Sequence, residues 1–243
     1  MRSNRAYPAL NNNECCGAIE MIERVQMRME TLKAATGASK HCGWMRDEVA
    51  FFLHSLIHLY RPELVIQTGH LWGKSALVVL DALQDIHYGV SIYGCAAQTG
   101  DKKFDEFVDS NAPKRTNGVL MSIDPEPYHV EHSDAGIELL KQWYGESFLF
   151  IKERSEDVFG KESWEQLARG KMIFGIVDGD HTVEGCRNDI ESLARLQAEC
   201  IFVDDTSWIP ELRGVCEAFA MGGVYDCATI KWMNGVTLLT RLL

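Results

Sequence analysis

From residue 62 onward the apolar positions fall into short unbroken runs set between longer amphipathic ones. ELVIQTG, GVLMSID, FLFIKE, KMIFGIVD and CIFVDD are apolar nearly throughout, as strands buried on both faces must be. Between them GKSALVVLDALQDI, AGIELLKQWYG, SEDVFGKESWEQLARG, TVEGCRNDIESLARLQA and IPELRGVCEAFAMG have the length and spacing of amphipathic helices. This order predicts βαβ units and a parallel sheet covered on both faces. It breaks at VYDCATIKW and VTLLTRLL, which only Met233, Asn234 and Gly235 join. Asn-Gly between two strands signals a tight hairpin. The expected fold class is therefore α/β, a doubly wound, mostly parallel seven-stranded sheet ending in an antiparallel hairpin.

The first 61 residues read as a helical extension to a sheet domain spanning 62–243. In MRDEVAFFLHSLIHLY the apolar positions 49, 52, 53, 56, 57 and 60 share one helical face, which predicts a helix lying on the sheet. His54 and His58 stand one turn apart on it, a pair that could hold a metal. No third ligand is near them in sequence, so their expected role is the polar flank of the helix. Residues 86–117 are longer than an ordinary helix-to-strand link and carry Tyr88, Tyr93, Phe104 and Phe107 among Gly, Asp and Lys. Such a segment is either a lid over a site or a surface insertion.

Composition narrows the function. The chain has 243 residues, 46% hydrophobic and 24% charged, ordinary values for a domain with a sizeable core. Its 35 acidic against 24 basic residues give a net charge of −11, and a surface of that sign repels nucleic-acid backbones and anionic lipid. No membrane span and no signal peptide are expected, and the predicted location is cytoplasmic. The eight cysteines never form C-x-x-C and read as reduced structural thiols. The expected partner is a small molecule, while homo-oligomerisation is left open.

Candidate chemistry begins after the first strand, where QTGHLWGKSA places Gly69, Gly73, Lys74 and Ser75 at the start of a helix. A loop of this kind lets a ligand approach the backbone and presents N–H groups to it. A phosphate loop, G-x-x-x-x-G-K-[ST], needs one more residue between its glycines, and the dinucleotide pattern G-x-G-x-x-G is absent. The second strand ends in SIDPEP, whose Asp124 can accept from both hydroxyls of a ribose or cap the next turn. Ser155, after the third strand, either contacts an adenine or caps a helix.

Together, LVIQTGHLWGKSA, SIDPEP, IVDGDHTVEGCRND and IFVDDT resemble the class I S-adenosylmethionine-dependent methyltransferases. The branch that they are most similar to holds small-molecule and sugar O-methyltransferases and cephalosporin hydroxylase-like proteins. The resemblance spans residues 45–243 and implies a Rossmann-like fold with a cofactor site at Gln67, Gly69, Gly73, Ser75, Asp124, Ser155 and Asp178. It implies a divalent metal held by Asp178, Asp204 and Asp205, and His181 as the base. Gln67 stands where this class usually has Glu or Asp; its carbonyl oxygen can accept from the cofactor's ammonium without a charge-assisted bond.

The residues support the metal independently. Asp178 closes the fourth strand and Asp204 with Asp205 closes the fifth, so three carboxylates converge on the carboxyl edge of a parallel sheet. Their repulsion is relieved by a hard cation with oxygen ligands, Mg²⁺, Mn²⁺ or Ca²⁺. A neutral His181 can then take the proton of an acceptor hydroxyl as its oxygen attacks the methyl group. The expected function is metal-assisted O-methylation of a small hydroxylated molecule. The alternatives are a non-catalytic binding protein on the same fold and a phosphate-loop nucleotide binder. Asp180 and Asp189 are expected to be structural. Trp72 and Trp208 are either pocket walls or core.

Overall fold

The computed structural model describes residues 17–37, 45–88, 117–125, 130–231 and 234–242. Seven strands, β1 (Leu64–Thr68), β2 (Val119–Ile123), β3 (Phe148–Ile151), β4 (Ile173–Val177), β5 (Cys200–Val203), β6 (Tyr225–Ile230) and β7 (Val236–Arg241), form one sheet in the order β3-β2-β1-β4-β5-β7-β6. β1 to β5 are parallel, and β7 runs antiparallel between β5 and β6. This is the doubly wound sheet with a terminal hairpin that the hydrophobic pattern predicts. At the hairpin tip Asn234 and Gly235 take the positive φ angles, 67° and 84°, that such a turn requires.

Among the described residues, eight helices occupy the two faces: α1 (Gly17–Thr36), α2 (Asp47–Tyr60), α3 (Lys74–Tyr88), α4 (Val130–Tyr144), α5 (Ser155–Phe159), α6 (Ser163–Ala168), α7 (Val183–Arg195) and α8 (Pro210–Ala220). Strand residues alternate between two cores. Val65, Leu120, Phe174 and Phe202 pack with Leu32 of α1, Leu53 and Ile57 of α2, Leu80 of α3 and Leu140 of α4. On the other face Ile66, Met121, Ile173 and Ile201 pack with Val158 of α5, Ile190 and Leu193 of α7 and Leu212 of α8.

Two elements differ from the hydrophobic reading. SEDVFGKESWEQLARG forms two short helices rather than one, because the first ends at Gly160, whose N–H bonds back to Glu156, and a new turn starts at Lys161. α4 begins at Val130, five residues ahead of the apolar run, in a polar turn without helical periodicity. Residues 89–116 lie outside the described residues, and with them nearly all of the segment read as a lid or insertion. Among the described residues no helix is long and apolar enough to cross a membrane. Cys186, Cys200, Cys216 and Cys227 are free thiols, the first three buried.

Candidate functional site

The strand order reverses between β1 and β4, and the loops that leave their carboxyl ends meet there. Gly69 carries φ +83°, and a Cβ on it would stand 2.0 Å from the carbonyl oxygen of Asp178. Only glycine fits, on both counts. The Gly69 N–H bonds to the Ile123 carbonyl and the Asp178 N–H to the Thr68 carbonyl, so the two loops continue the sheet's ladder past its edge. Leu71 and Gly73 also have positive φ, and the loop turns tightly into α3.

Asp124 sits at the end of β2, as expected, and its Oδ2 accepts from the His70 N–H at 2.8 Å and the Leu71 N–H at 3.3 Å. It thus braces the glycine loop, a contact the sequence does not suggest. His70 is buried beneath the loop, bonded through Nδ1 to Ser122 Oγ at 2.9 Å, and burial lowers its pKa to about 3, which keeps it neutral. Gln67 is fully buried. Its Nε2 donates to the Gly69 carbonyl at 2.5 Å and to Ser75 Oγ at 2.8 Å. The carbonyl can only accept, which fixes the amide's orientation and leaves Gln67 Oε1 buried with no hydrogen-bond partner among the described residues. Lys74, the cation that a phosphate loop would turn to its ligand, instead bonds to the Met45 carbonyl and to Asp47 at the start of α2. That contact argues against the nucleotide reading.

Across the switch point, Asp178, His181 and Asp205 bring one ligand atom each within 4.8 Å of the others. His181 Nε2 is 3.8 Å from Asp178 Oδ1 and 3.7 Å from Asp205 Oδ2, the reach of ion pairs rather than of hydrogen bonds. Asp178 above all, then Asp205 and Asp204, draws the His181 pKa up against the effect of burial. Asp205 adopts φ +58°, a left-handed conformation that Asp tolerates better than most residues. Side chains of consecutive extended residues diverge, and this turn breaks that alternation between Asp204 and Asp205. Asp204 is buried behind the group, its Oδ1 accepting the Asp205 N–H at 2.9 Å. Burial, with Asp178 and Asp205 adding, pushes the Asp204 pKa well up; burial and Asp178 also raise that of Asp205. The site gathers three carboxyl groups with no lysine or arginine bonded to them among the described residues.

The remaining residues sort themselves. Asp180 Oδ1 accepts the Thr182 N–H, and Thr182 caps α7 through the Gly185 N–H, so Asp180 shapes the turn. Ser155 is the first residue of α5, and its hydroxyl and that of Thr68 lower the pKa of the buried Asp189 against the effect of burial. Trp72 is buried in the core, whereas Trp208 is 65% exposed and stands edge-on to the His181 ring at 6.1 Å. The sequence marks Asn234 only as a turn residue. Its carbonyl receives the Ser207 and Trp208 N–H groups, so the hairpin tip buttresses the acidic loop.

No family model matches the sequence, and no curated protein matches it. Solved structures do match in fold. Cofactor-bound Rv0187 from MTB is 14% identical with a TM-score of 0.61, over 90% of this chain and 89% of that one. An O-methyltransferase from Bacillus cereus in complex with SAH is 12% identical, TM-score 0.58, over 91% of each chain. The O-methyltransferase TomG from Streptomyces achromogenes, involved in tomaymycin synthesis and in complex with SAM, is 13% identical, TM-score 0.58, over 96% of this chain and 92% of that one. With the strand order and the terminal hairpin, these likenesses give the chain the Rossmann-like fold of the class I S-adenosylmethionine-dependent methyltransferases.

Proposed function

We propose that the chain is an S-adenosylmethionine-dependent O-methyltransferase for a small hydroxylated acceptor, assisted by a divalent cation. The observation that carries this reading is the meeting, at one switch point, of the glycine loop with its unpaired Gln67 acceptor and the Asp178, His181, Asp205 group. Neighbours of the same fold that hold SAM or SAH lend it support.

The residues suit the cofactor. Gln67 Oε1 is an acceptor for its ammonium group, Gly69 and Gly73 admit close backbone approach, and Asp124 stands where a ribose would lie. The cofactor, when bound, supplies an activated methyl on a sulfonium leaving group. The donor set equally suits a hard cation, held by Asp178 and Asp205 with Asp204 behind them. Such an ion, Mg²⁺, Mn²⁺ or Ca²⁺, would supply positive charge to the three acids and lower the pKa of an acceptor hydroxyl. His181 Nε2 would take the proton of the acceptor hydroxyl, and Trp208, edge-on to the imidazole, walls the acceptor side. Positioning by these groups provides most of the rate.

A second reading makes His181 a metal ligand, and its nearly equal distances to two carboxylates favour it. The neutral Gln67, in turn, favours a binding protein without turnover. Calorimetric titration of S-adenosylmethionine into the full chain, with and without Mg²⁺ or Mn²⁺, tests the proposal. Binding that metal tightens is expected, with Asp124→Ala weakening it by about 1.5 to 3 kcal/mol. No cofactor binding under either condition would sink the proposal. Cofactor binding without any metal binding would leave the acids structural.

A further inference from the structure

A second cluster of ligand-type side chains lies far from the sheet edge, between the helices of the first face. His54 and His58 of α2 meet Asp85 of α3, all three buried, with one ligand atom from each within 4.8 Å of the others. The third ligand that the sequence does not offer near the histidine pair is thus supplied by the next helix. The histidines are 1% and 2% exposed, and His54 Nε2 and both ring nitrogens of His58 have no hydrogen-bond partner among the described residues. An imidazole always carries at least one N–H, and burying it unpaired is costly, so such a group calls for an explanation.

The spacing supplies one. His58 Nε2 is 3.8 Å and His54 Nε2 3.9 Å from Asp85 Oδ2, while His54 Nε2 is 3.7 Å from Asp81 Oδ2. These gaps are too long for hydrogen bonds, but they approach the separation of ligands around one ion. Ligands about 2 Å from a tetrahedral zinc ion lie about 3.3 Å apart. We infer that His54, His58 and Asp85, with Asp81 as the fourth donor, form a site for a zinc-class transition metal that ties α2 to α3. Two imidazoles select such an ion over Mg²⁺ or Ca²⁺. Outside the ligands, Arg24 Nη2 lies 2.7 Å from each oxygen of Asp85 and from Asp81 Oδ2, and Arg24 Nε, Arg28 and the Tyr144 hydroxyl reach Asp81 Oδ1. When Asp85 Oδ2 and Asp81 Oδ2 turn to the metal, Arg24, whose side chain is 24% exposed, keeps the Oδ1 atom of each. Carboxylates so held orient and tune a bound ion.

The test uses the full chain carrying Asp178→Asn and Asp205→Asn, which removes the sheet-edge donors and leaves the helix cluster intact. Stripped of metal and titrated with Co²⁺, it should take up one equivalent with visible d–d absorption, released by Zn²⁺ but not by excess Mg²⁺. Adding His58→Gln should weaken Co²⁺ binding at least 100-fold. Absence of the band, or a band of undiminished affinity in a folded His58→Gln protein, would overturn the inference. Should that variant fail to fold, paramagnetic shifts of the His54 and His58 ring signals in the parent decide. Shifts support the site, and unshifted rings overturn it.

Discussion

Two groups of histidine and aspartate stand among the described residues, and they are opposites. At the sheet edge, Asp178, Asp204 and Asp205 face His181 with no lysine or arginine bonded to them among the described residues, and Asp204 and Asp205 are driven toward protonation. Between the helices, Asp81 is more deeply buried, yet His54, Arg24 and Arg28 outweigh burial and hold its pKa down to about 2. The difference lies in who supplies the positive charge. The helix cluster balances its acids within the chain, and its unpaired groups are imidazoles. The edge group leaves its acids unbalanced, which destabilises the isolated fold and favours an incoming cation.

The contrast can be broken most forcefully at its histidines. His181→Ala should lower methyl transfer by about 10² to 10⁴, with the fold unchanged, in steady-state assays once an acceptor is found. Metal affinity retained in that variant identifies a base, and metal affinity lost identifies a ligand. On the other side, Asp81→Ala takes the carboxylate from Arg28 and leaves Arg24 with Asp85, and should cost about 3 kcal/mol in urea unfolding. A loss below about 1 kcal/mol would mean that the helix cluster is not the closed ion network described.

Asp189 sharpens the rule, since it is buried like Asp81 but has no cation. Burial raises its pKa to about 6, against the Ser155 and Thr68 hydroxyls that hold it down. An acid raised in the folded state gives its full stability below its unfolded pKa of roughly 4, and that stability is lost as pH rises through 6. Asp189→Asn should therefore be more stable than wild type by about 2 kcal/mol at pH 8 and equal to it near pH 4, measured by urea midpoints. The smallest effect is expected at the edge. With chelator present, Asp205→Asn should stabilise the protein by up to about 1 kcal/mol by relieving repulsion, and added Mn²⁺ should reverse the order. Destabilisation in chelator would mean that the edge acids hold the loop together.

How far these regions were legible follows from their geometry. Doubly buried strands announce themselves as apolar runs, and a parallel sheet places strand-ending residues at one edge, so the hydrophobic pattern alone suffices to place Asp124, Asp178, Asp204 and Asp205. Helix boundaries were less clear where burial did not set the pattern, as at Gly160 and in the polar first turn of α4. The Asp85 partner of His54 and His58 was hidden because it comes from another helix, through packing that no local spacing records. Trp208 and Asn234 reach the site through positive-φ turns at Asp205 and at the hairpin tip, conformations that Asp and Asn tolerate without advertising them. Asp124 shows the reverse case: its position was legible, its bonds to the His70 and Leu71 N–H groups were not.

The contact of Gly69 with the Asp178 carbonyl carries a thermodynamic consequence. The glycine loop and the acidic loop share a wall with no space for even a methyl group between them, so a shift of either toward the other meets the other's backbone. If the proposed cofactor and cation occupy the two halves of the site, linkage requires their coupling to be mutual: whatever factor the cation adds to cofactor affinity, the cofactor adds to cation affinity.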